Sequence, residues 1–378
     1  MDPAAPSPDA AHPHSGGRVS TSNRLALDYR KVAAAMPAPC PIIDIHTHVQ
    51  GARAAPIWRE AAVAFGISRV FTQVRIDEAA TVREALGDMV RFIAFPNFRH
   101  EDRWHAFTEG YLRDIEAFRT NFDARVLKIW NAPRMHDFFE GARGQELIPF
   151  DSPWRTRQLE LGQRLGMMFM VHVADPDTWF ATKYKDASKY RAKLDHYSSL
   201  RRVMDRFEGP WIAAHMGGWP EDLRFLDDLL AKHPNLTLDT SATKWIVREI
   251  SRHPRDESAD FFTRHRHRIL FGSDIVTTEE HLAPKPVPSQ HPMADLADSP
   301  ESAFDLYASR YFALRTMLEG SGDRPSNIAD PDLMMVDPAR FGPMDAPTLR
   351  GLALPDDVLQ DLYHRNARRI LARVGVAL

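Results

Sequence analysis

Two histidines separated by one residue, His46 and His48, follow the run Ile42-Ile43-Asp44-Ile45. In an extended strand, positions i and i+2 point to the same side, so both imidazoles can reach a single metal ion. A polar group at the end of an apolar run recurs at His172 after Met170-Val171, at His215 after Ile212-Ala213-Ala214, and at Asp274 after Leu270-Phe271-Gly272-Ser273. Taken one at a time, each has a plain explanation. A lone histidine on an apolar strand is more often a satisfied core residue, and Asp274 suits a helix cap. An acid after apolar residues must otherwise be paired, bound to a metal or exposed. Taken together, three imidazoles and a carboxylate, with a fourth imidazole nearby, suit zinc or another divalent first-row metal.

Groups so far apart in the chain meet only if the fold gathers the ends of several strands. Apolar runs at 42–46, 70–74, 92–95, 126–130, 168–173, 211–215, 236–239 and 269–272 read as strands. Helical periodicity fills the intervals, at 57–65, 81–89, 104–122, 155–165, 189–207, 221–232 and 245–264. In one of these, Leu223, Leu226, Leu229 and Leu230 share a stripe. Apolar runs without alternation suit strands buried on both faces of a parallel sheet. Eight strand–helix units in series predict an α/β fold of the (β/α)8 TIM barrel type. The first strand lacks the Gly-rich phosphate turn of a dinucleotide fold. Such barrels carry their chemistry at the C-terminal ends of the strands, where His46, His48, His172, His215 and Asp274 all fall.

A barrel needs about 250 residues. The surplus is expected as an N-terminal arm over residues 1–40, mobile to about residue 22 and with a short helix at 24–36. The rest, 41–378, is one catalytic domain with an insertion over 277–355 after strand eight, carrying a helix at 304–318. Residues 356–374 are expected to supply the last barrel helix.

The 378 residues hold 48 Lys+Arg and 51 Asp+Glu, a formal net charge of −3, with no long run of one sign. That argues against nucleic acid or a membrane surface as partner. No stretch approaches the roughly 20 apolar residues of a membrane span, and the N-terminus shows neither region of a secretory signal, so a cytoplasmic location is expected. The single cysteine, Cys40, excludes an intrachain disulfide and thiolate metal sites. Oxygen and imidazole must do any metal binding.

The pieces Asp44-Ile-His46-Thr-His48, Val171-His172, Ala214-His215-Met-Gly217-Gly218, Leu270-Phe-Gly272-Ser-Asp274 and Asn366-Ala367-Arg368-Arg369-Ile370-Leu371 together resemble the amidohydrolase superfamily. The likeness spans about residues 41–374. It is greatest to the amidohydrolase-related (amidohydrolase 2) branch, which holds aminocarboxymuconate-semialdehyde decarboxylase, other non-oxidative decarboxylases, and lactone or pyrone-dicarboxylate hydrolases. The resemblance implies that His46, His48, His172 and Asp274 hold one divalent metal, zinc first. It places His215 beside the metal as the proton-handling or substrate-polarising group, with Asp274 also accepting a proton. It implies a hydrolase in which activated water attacks a small carboxylated substrate, a lactone, ester or amide. The alternative is a non-oxidative decarboxylase built on the same ligands. A non-catalytic binding barrel would be expected to lack a ligand position, and all are filled. Family members are often dimers, so the resemblance leaves a homodimer possible, with the arm at 1–40 or the 277–355 insertion able to mediate contact and no residue marking it. After Asp274 the chain departs from the common family pattern with Ile275-Val276-Thr277, in the segment that shapes the mouth.

Lys128, in Val126-Leu127-Lys128-Ile129-Trp130, could be carbamylated and bridge a second metal, bind a substrate carboxylate, or pair with a buried acid. Arg75 and Arg99 follow strands two and three and could clamp a carboxylate. Trp179, Trp219 and Trp245 could wall an apolar or aromatic substrate, and Lys244 is a further mouth candidate. For each of these, surface charge or helix packing is the plain alternative. The cluster His265-Arg266-His267-Arg268 precedes strand eight, at the opposite barrel end, and reads as solvated surface.

Overall fold

The computed structural model describes residues 18–285 and 292–378. Eight parallel strands follow chain order around one sheet: β1 (Ile42–Thr47), β2 (Ile67–Gln73), β3 (Val90–Ala94), β4 (Val126–Trp130), β5 (Met168–His172), β6 (Trp211–Ala213), β7 (Leu236–Asp239) and β8 (Ile269–Leu270). The ring closes just beyond β8. Ile45 N donates to Phe271 O (3.0 Å), Asp274 N to His46 O (2.8 Å) and His48 N to Ile275 O (2.8 Å). This is the expected (β/α)8 barrel.

Inside it, Ile43, Ile45, Phe71, Ile93, Val126, Met168, Met170, Ile212 and Leu270 form one apolar cluster. The site lies above this floor, and β1 needs an irregularity to reach it. Asp44 pairs with Val70 and Thr47 with Thr72, so three steps on β1 match two on β2. The extra residue lets Ile45 point into the floor while His46, the next residue, also turns inward.

Two strands end earlier than their apolar runs. His215 (φ +60°) and Asp274 (φ +57°) take left-handed backbone, which breaks the extended chain after β6 and β8. Three expected helices are each split in two. The break in 104–122 falls at Thr108, that in 189–207 at Arg191–Ala192, and that in 245–264 between Ile250 and Arg255. Pro254 accounts for the last, because the residue before a proline avoids helical backbone.

The 277–355 segment does more than decorate the barrel. Its long helix, Pro300–Glu319, packs on the helix Ala54–Ala64. It also meets the outer face of β1, where the Tyr311 hydroxyl donates to Asp44 Oδ2 at 2.9 Å and the ring stacks on Phe271. That is the position of an eighth barrel helix, so the assignment of 356–374 to that role is corrected. The chain end forms the helix Asp356–Gln360, one π-turn, and the helix Asn366–Ala372. Ala367, Ile370 and Leu371 of the last helix plug the barrel floor, and Asn366 anchors it by donating to Arg266 O and Ile269 O, both at 2.6 Å. An apolar stripe suits a barrel floor as well as a barrel wall, which is why periodicity alone misplaced it. The segment also contains an antiparallel pair that the sequence did not announce, β9 (Ser321–Pro325) and β10 (Thr348–Leu352). Neither strand carries a strong apolar alternation.

Residues 1–17 of the expected arm lie outside the described residues. From residue 18 onward the arm is anchored at several points. Asn23 is buried and donates to Asp305 Oδ2 (3.0 Å), and Tyr29, on the short helix Tyr29–Ala34, is buried as well. Among the described residues, no helix is long and apolar enough to cross a membrane.

Candidate metal centre

The C-terminal strand ends converge on one polar cluster. His46 Nε2 and His48 Nε2 both approach Asp274 Oδ1, at 3.6 and 3.3 Å. One nitrogen or oxygen from each of the three lies within 4.8 Å of the other two. His46 is buried, whereas the side chains of His48 and Asp274 keep 24% and 26% of their exposure. The trio therefore opens toward the mouth.

Behind His46 stands Asp239, at the end of β7, with Oδ2 2.9 Å from His46 Nδ1. An ionised Asp239 there accepts a hydrogen bond from Nδ1–H, which keeps the proton on Nδ1 and leaves the Nε2 lone pair facing Asp274. The other oxygen, Oδ1, accepts from His215 N (2.9 Å), Ser241 N (3.0 Å) and the Ser241 hydroxyl. Burial pushes the Asp239 carboxyl up, but His46, His215 and Ser241 outweigh it and hold the group below the usual carboxylate range. Asp274 is likewise held low against burial, by His48 first and then His46 and His215. Burial, with the Lys128 charge added, lowers the His46 pKa. Lys128 Nζ is 3.2 Å from His46 Nε2, and burial pulls its ammonium down to about 8.

His172 and His215 are arranged differently. His172 Nδ1 lies 3.1 Å from His215 Nε2. The remaining nitrogens are also engaged, His172 Nε2 with Asp175 Oδ1 (2.9 Å) and His215 Nδ1 with Ser241 Oγ (2.8 Å). The Tyr184 hydroxyl in turn donates to Asp175 Oδ2 at 2.8 Å. Burial, then His172, drives the His215 pKa well down, so its imidazole is neutral. His172 thus stands beside the trio and is not one of its converging members.

The backbone around these groups is strained. His215, Met216, Ala242 and Asp274 all have positive φ without being glycine, on the order of 1 kcal/mol each. The turn after His215 also requires Gly218, where a Cβ would sit 2.5 Å from Ala174 O. Asp44 ties the two ligand-bearing segments together. It accepts from His46 N (3.2 Å), Ser273 N (3.1 Å), the Ser273 hydroxyl (2.6 Å) and Tyr311. Burial raises its carboxyl to about 7.

The other mouth candidates divide. Trp245 meets His215 edge-on at 5.8 Å and Trp179 at 4.8 Å, and both indoles donate to Asp332 of the insertion, at 3.2 and 2.8 Å. These two tryptophans wall the cluster. Trp219 instead stacks on Tyr197 and donates to Asp177. Arg99 is exposed over Phe98, and Arg75 is paired with Asp77 and Glu78. Lys244 lines a small cavity with Asp330 and Ile328 under the insertion, and burial lowers its pKa. None of these four touches the histidines. Of the 265–268 cluster, His265 pairs with Asp227, Arg266 with Asp357 and Asp361, and Arg268 donates to the carbonyls of Leu236 and His233. They fasten the far end of the barrel and are less free than solvated surface.

Sequence reasoning missed Asp239, Asp175, Ser241 and Tyr184. Asp239 carried a usable signal, a carboxylate closing the run Leu236-Thr237-Leu238 just as Asp274 closes another. Ser241 and Tyr184 carried none.

The amidohydrolase family model matches residues 43–373. No curated protein matches the chain. Similar solved structures include a mutant organophosphorus hydrolase from Deinococcus radiodurans, at 12% identity over 87% of this chain and 93% of that one, with a TM-score of 0.42. A variant 2-keto-3-deoxygluconate aldolase from Sulfolobus solfataricus gives 10% identity over 88% and 95%, with a TM-score of 0.33. Those scores are too low to add to the argument. The family match runs from β1, with its two histidines, to the helix that plugs the floor, and the chain belongs to the amidohydrolase family of metal-dependent enzymes.

Proposed function

We propose that the protein hydrolyses a lactone, ester or amide bond in a small carboxylated substrate, with one zinc ion as cofactor. The observation that carries this reading is Asp274. It is an anion on the open side of the cluster, partly exposed, and 3.3 Å from His48 Nε2. Held low as it is, that carboxylate would take a proton only from a water that a bound ion has acidified.

The residues fit a divalent ion. His46, His48 and Asp274 converge, Asp239 fixes the tautomer of His46, and the set is nitrogen and oxygen without sulfur. His46, His48 and Asp274 would hold the ion, and His172 would join them as a fourth ligand only by giving up its contact with His215. When bound, the ion supplies Lewis acidity toward water and a substrate oxygen. His215, buried and neutral beside the cluster, would act on the oxygen where charge develops only once its Nε2 leaves His172 and carries the proton. Lys128 is the buried cation nearest the cluster and can hold a substrate carboxylate. The reading uses one ion, because the other grouping able to hold a metal, His46, His215 and Asp239, is fully buried and shares His46 with the open trio.

Product analysis tests this. The metal-loaded protein is offered small lactones, esters, amides and carboxylic acids, and acid and CO2 release are followed together. Acid release from a lactone, ester or amide without CO2 is the expected result. CO2 release from a carboxylic acid, with no hydrolysis, would replace the reading by non-oxidative decarboxylation.

A further inference from the structure

Gln73 ends β2, and its side chain has no visible occupation. The residue is 2% exposed, and neither Oε1 nor Nε2 has a hydrogen-bond partner. A buried amide with both ends unsatisfied is destabilising, so its retention calls for a role. Its direction follows from β2 itself. Val70 packs in the outer core and the Thr72 hydroxyl meets the backbone of β1, whereas Phe71 belongs to the inner floor. Alternation therefore turns Gln73 inward. The register agrees, since Gln73 pairs with Ile93, another floor residue.

The same register places the end of β2 beside the chain that carries His48. Thr47 pairs with Thr72, so His48 and Gln73 come next on neighbouring strands. Phe95, one turn of the wall further on, sets its ring edge-on to His48 at 5.7 Å. Arg75 Nη1 and Asn97 Oδ1, on the loops after β2 and β3, are also buried without a partner. Unmet polar atoms thus occur at the end of β2 and on the loops that follow β2 and β3.

We propose that Gln73 is a specificity-determining residue whose amide reads an adjacent hydrogen-bond donor and acceptor on the substrate. Its Nε2 donates and its Oε1 accepts, which matches a hydroxyl beside a carbonyl, or an amide edge, and a bare carboxylate supplies only the acceptor. A site built to bond such a group rejects analogues that lack it. This rests on the hydrolase reading above, and it names the feature of the substrate that the reading left open.

The test uses the full-length, zinc-loaded protein and its Gln73→Leu variant. The probes are the γ-lactone of α-hydroxyglutarate and the counterpart with a second hydroxyl beside the ring carbonyl. Acid release gives kcat/KM, and the lactone-induced rise in melting temperature gives binding. Three results are expected. The variant without ligand melts no lower than wild type, and its zinc content is unchanged. Wild type prefers the hydroxylated lactone. That preference falls at least tenfold in Gln73→Leu. A clearly lower melting temperature for the unliganded variant would show that the fold already satisfies the amide, and would overturn the proposal. So would a wild-type protein with no preference in either assay, or a preference that the variant keeps. If wild type binds the lactones without opening them, the hydrolase reading fails, while the thermal shift still decides the role of Gln73.

Discussion

The two sides of the histidine cluster use the same side chain for opposite ends. On the β1–β8 side, His46 and His48 turn Nε2 toward Asp274 and the mouth, with Asp239 behind His46 Nδ1 and the Lys128 ammonium beside His46 Nε2. On the β5–β6 side, His172 and His215 face each other at 3.1 Å, and their outer nitrogens close on Asp175 and Ser241. The first side offers converging lone pairs and access, and the second offers a neutral, closed hydrogen-bond chain. What an imidazole does here depends on what its second nitrogen meets.

Emptying the open side should have the largest effect. His46→Ala with His48→Ala removes two of the three converging groups. Metal content should fall to background, and hydrolysis by on the order of a thousandfold or more, read by elemental analysis and initial rates. Next comes the support behind His46. Asp239→Asn keeps the shape but loses the charge that sets the tautomer, and metal affinity should fall by about 10- to 100-fold in chelator competition. On the closed side, Tyr184→Phe removes one hydrogen bond two steps from His215. It should leave metal content intact and lower stability by about 1 kcal/mol, measured by urea unfolding. If Tyr184→Phe cost as much metal as Asp239→Asn, the contrast between the two sides would collapse.

The smallest effect is a control outside the cluster. Burial raises the Glu221 carboxyl to about 7, from 4.5. Below about pH 4.5 the group is protonated in both the folded and unfolded chain, so its contribution is intact. From about pH 4.5 to 7 the unfolded chain ionises while the folded protein keeps the proton, and on the order of 3 kcal/mol of stability is lost by the time the pH has passed 7. Glu221→Gln should flatten that decline in urea midpoint while metal content stays unchanged.

The barrel was legible because its strands announce themselves as unalternating apolar runs, and the site because barrel chemistry sits where those runs end. His46, His48 and Asp274 could be found together on that ground. The supports were less visible. Asp175 and Tyr184 lie in the loop after β5, and Ser241 follows Asp239 by two residues. Only folding shows that they meet His172 and His215. The place of the chain end, 356–374, was hidden for a related reason. Amphipathic periodicity tells that a face is buried, and it is silent on whether the burial is against a barrel wall or a barrel floor. Arg99 and Trp219 show the converse, since a position after a strand does not by itself put a side chain in the mouth.

The central claim is that one divalent ion sits on the open side of the cluster. Anomalous scattering at the zinc edge, from crystals of the zinc-loaded protein, tests it most directly. The account predicts one strong peak about 2.0–2.2 Å from His46 Nε2, His48 Nε2 and an Asp274 oxygen. A peak held by Asp175 or Asp239 instead, or zinc-loaded crystals with no peak at the cluster, would contradict it.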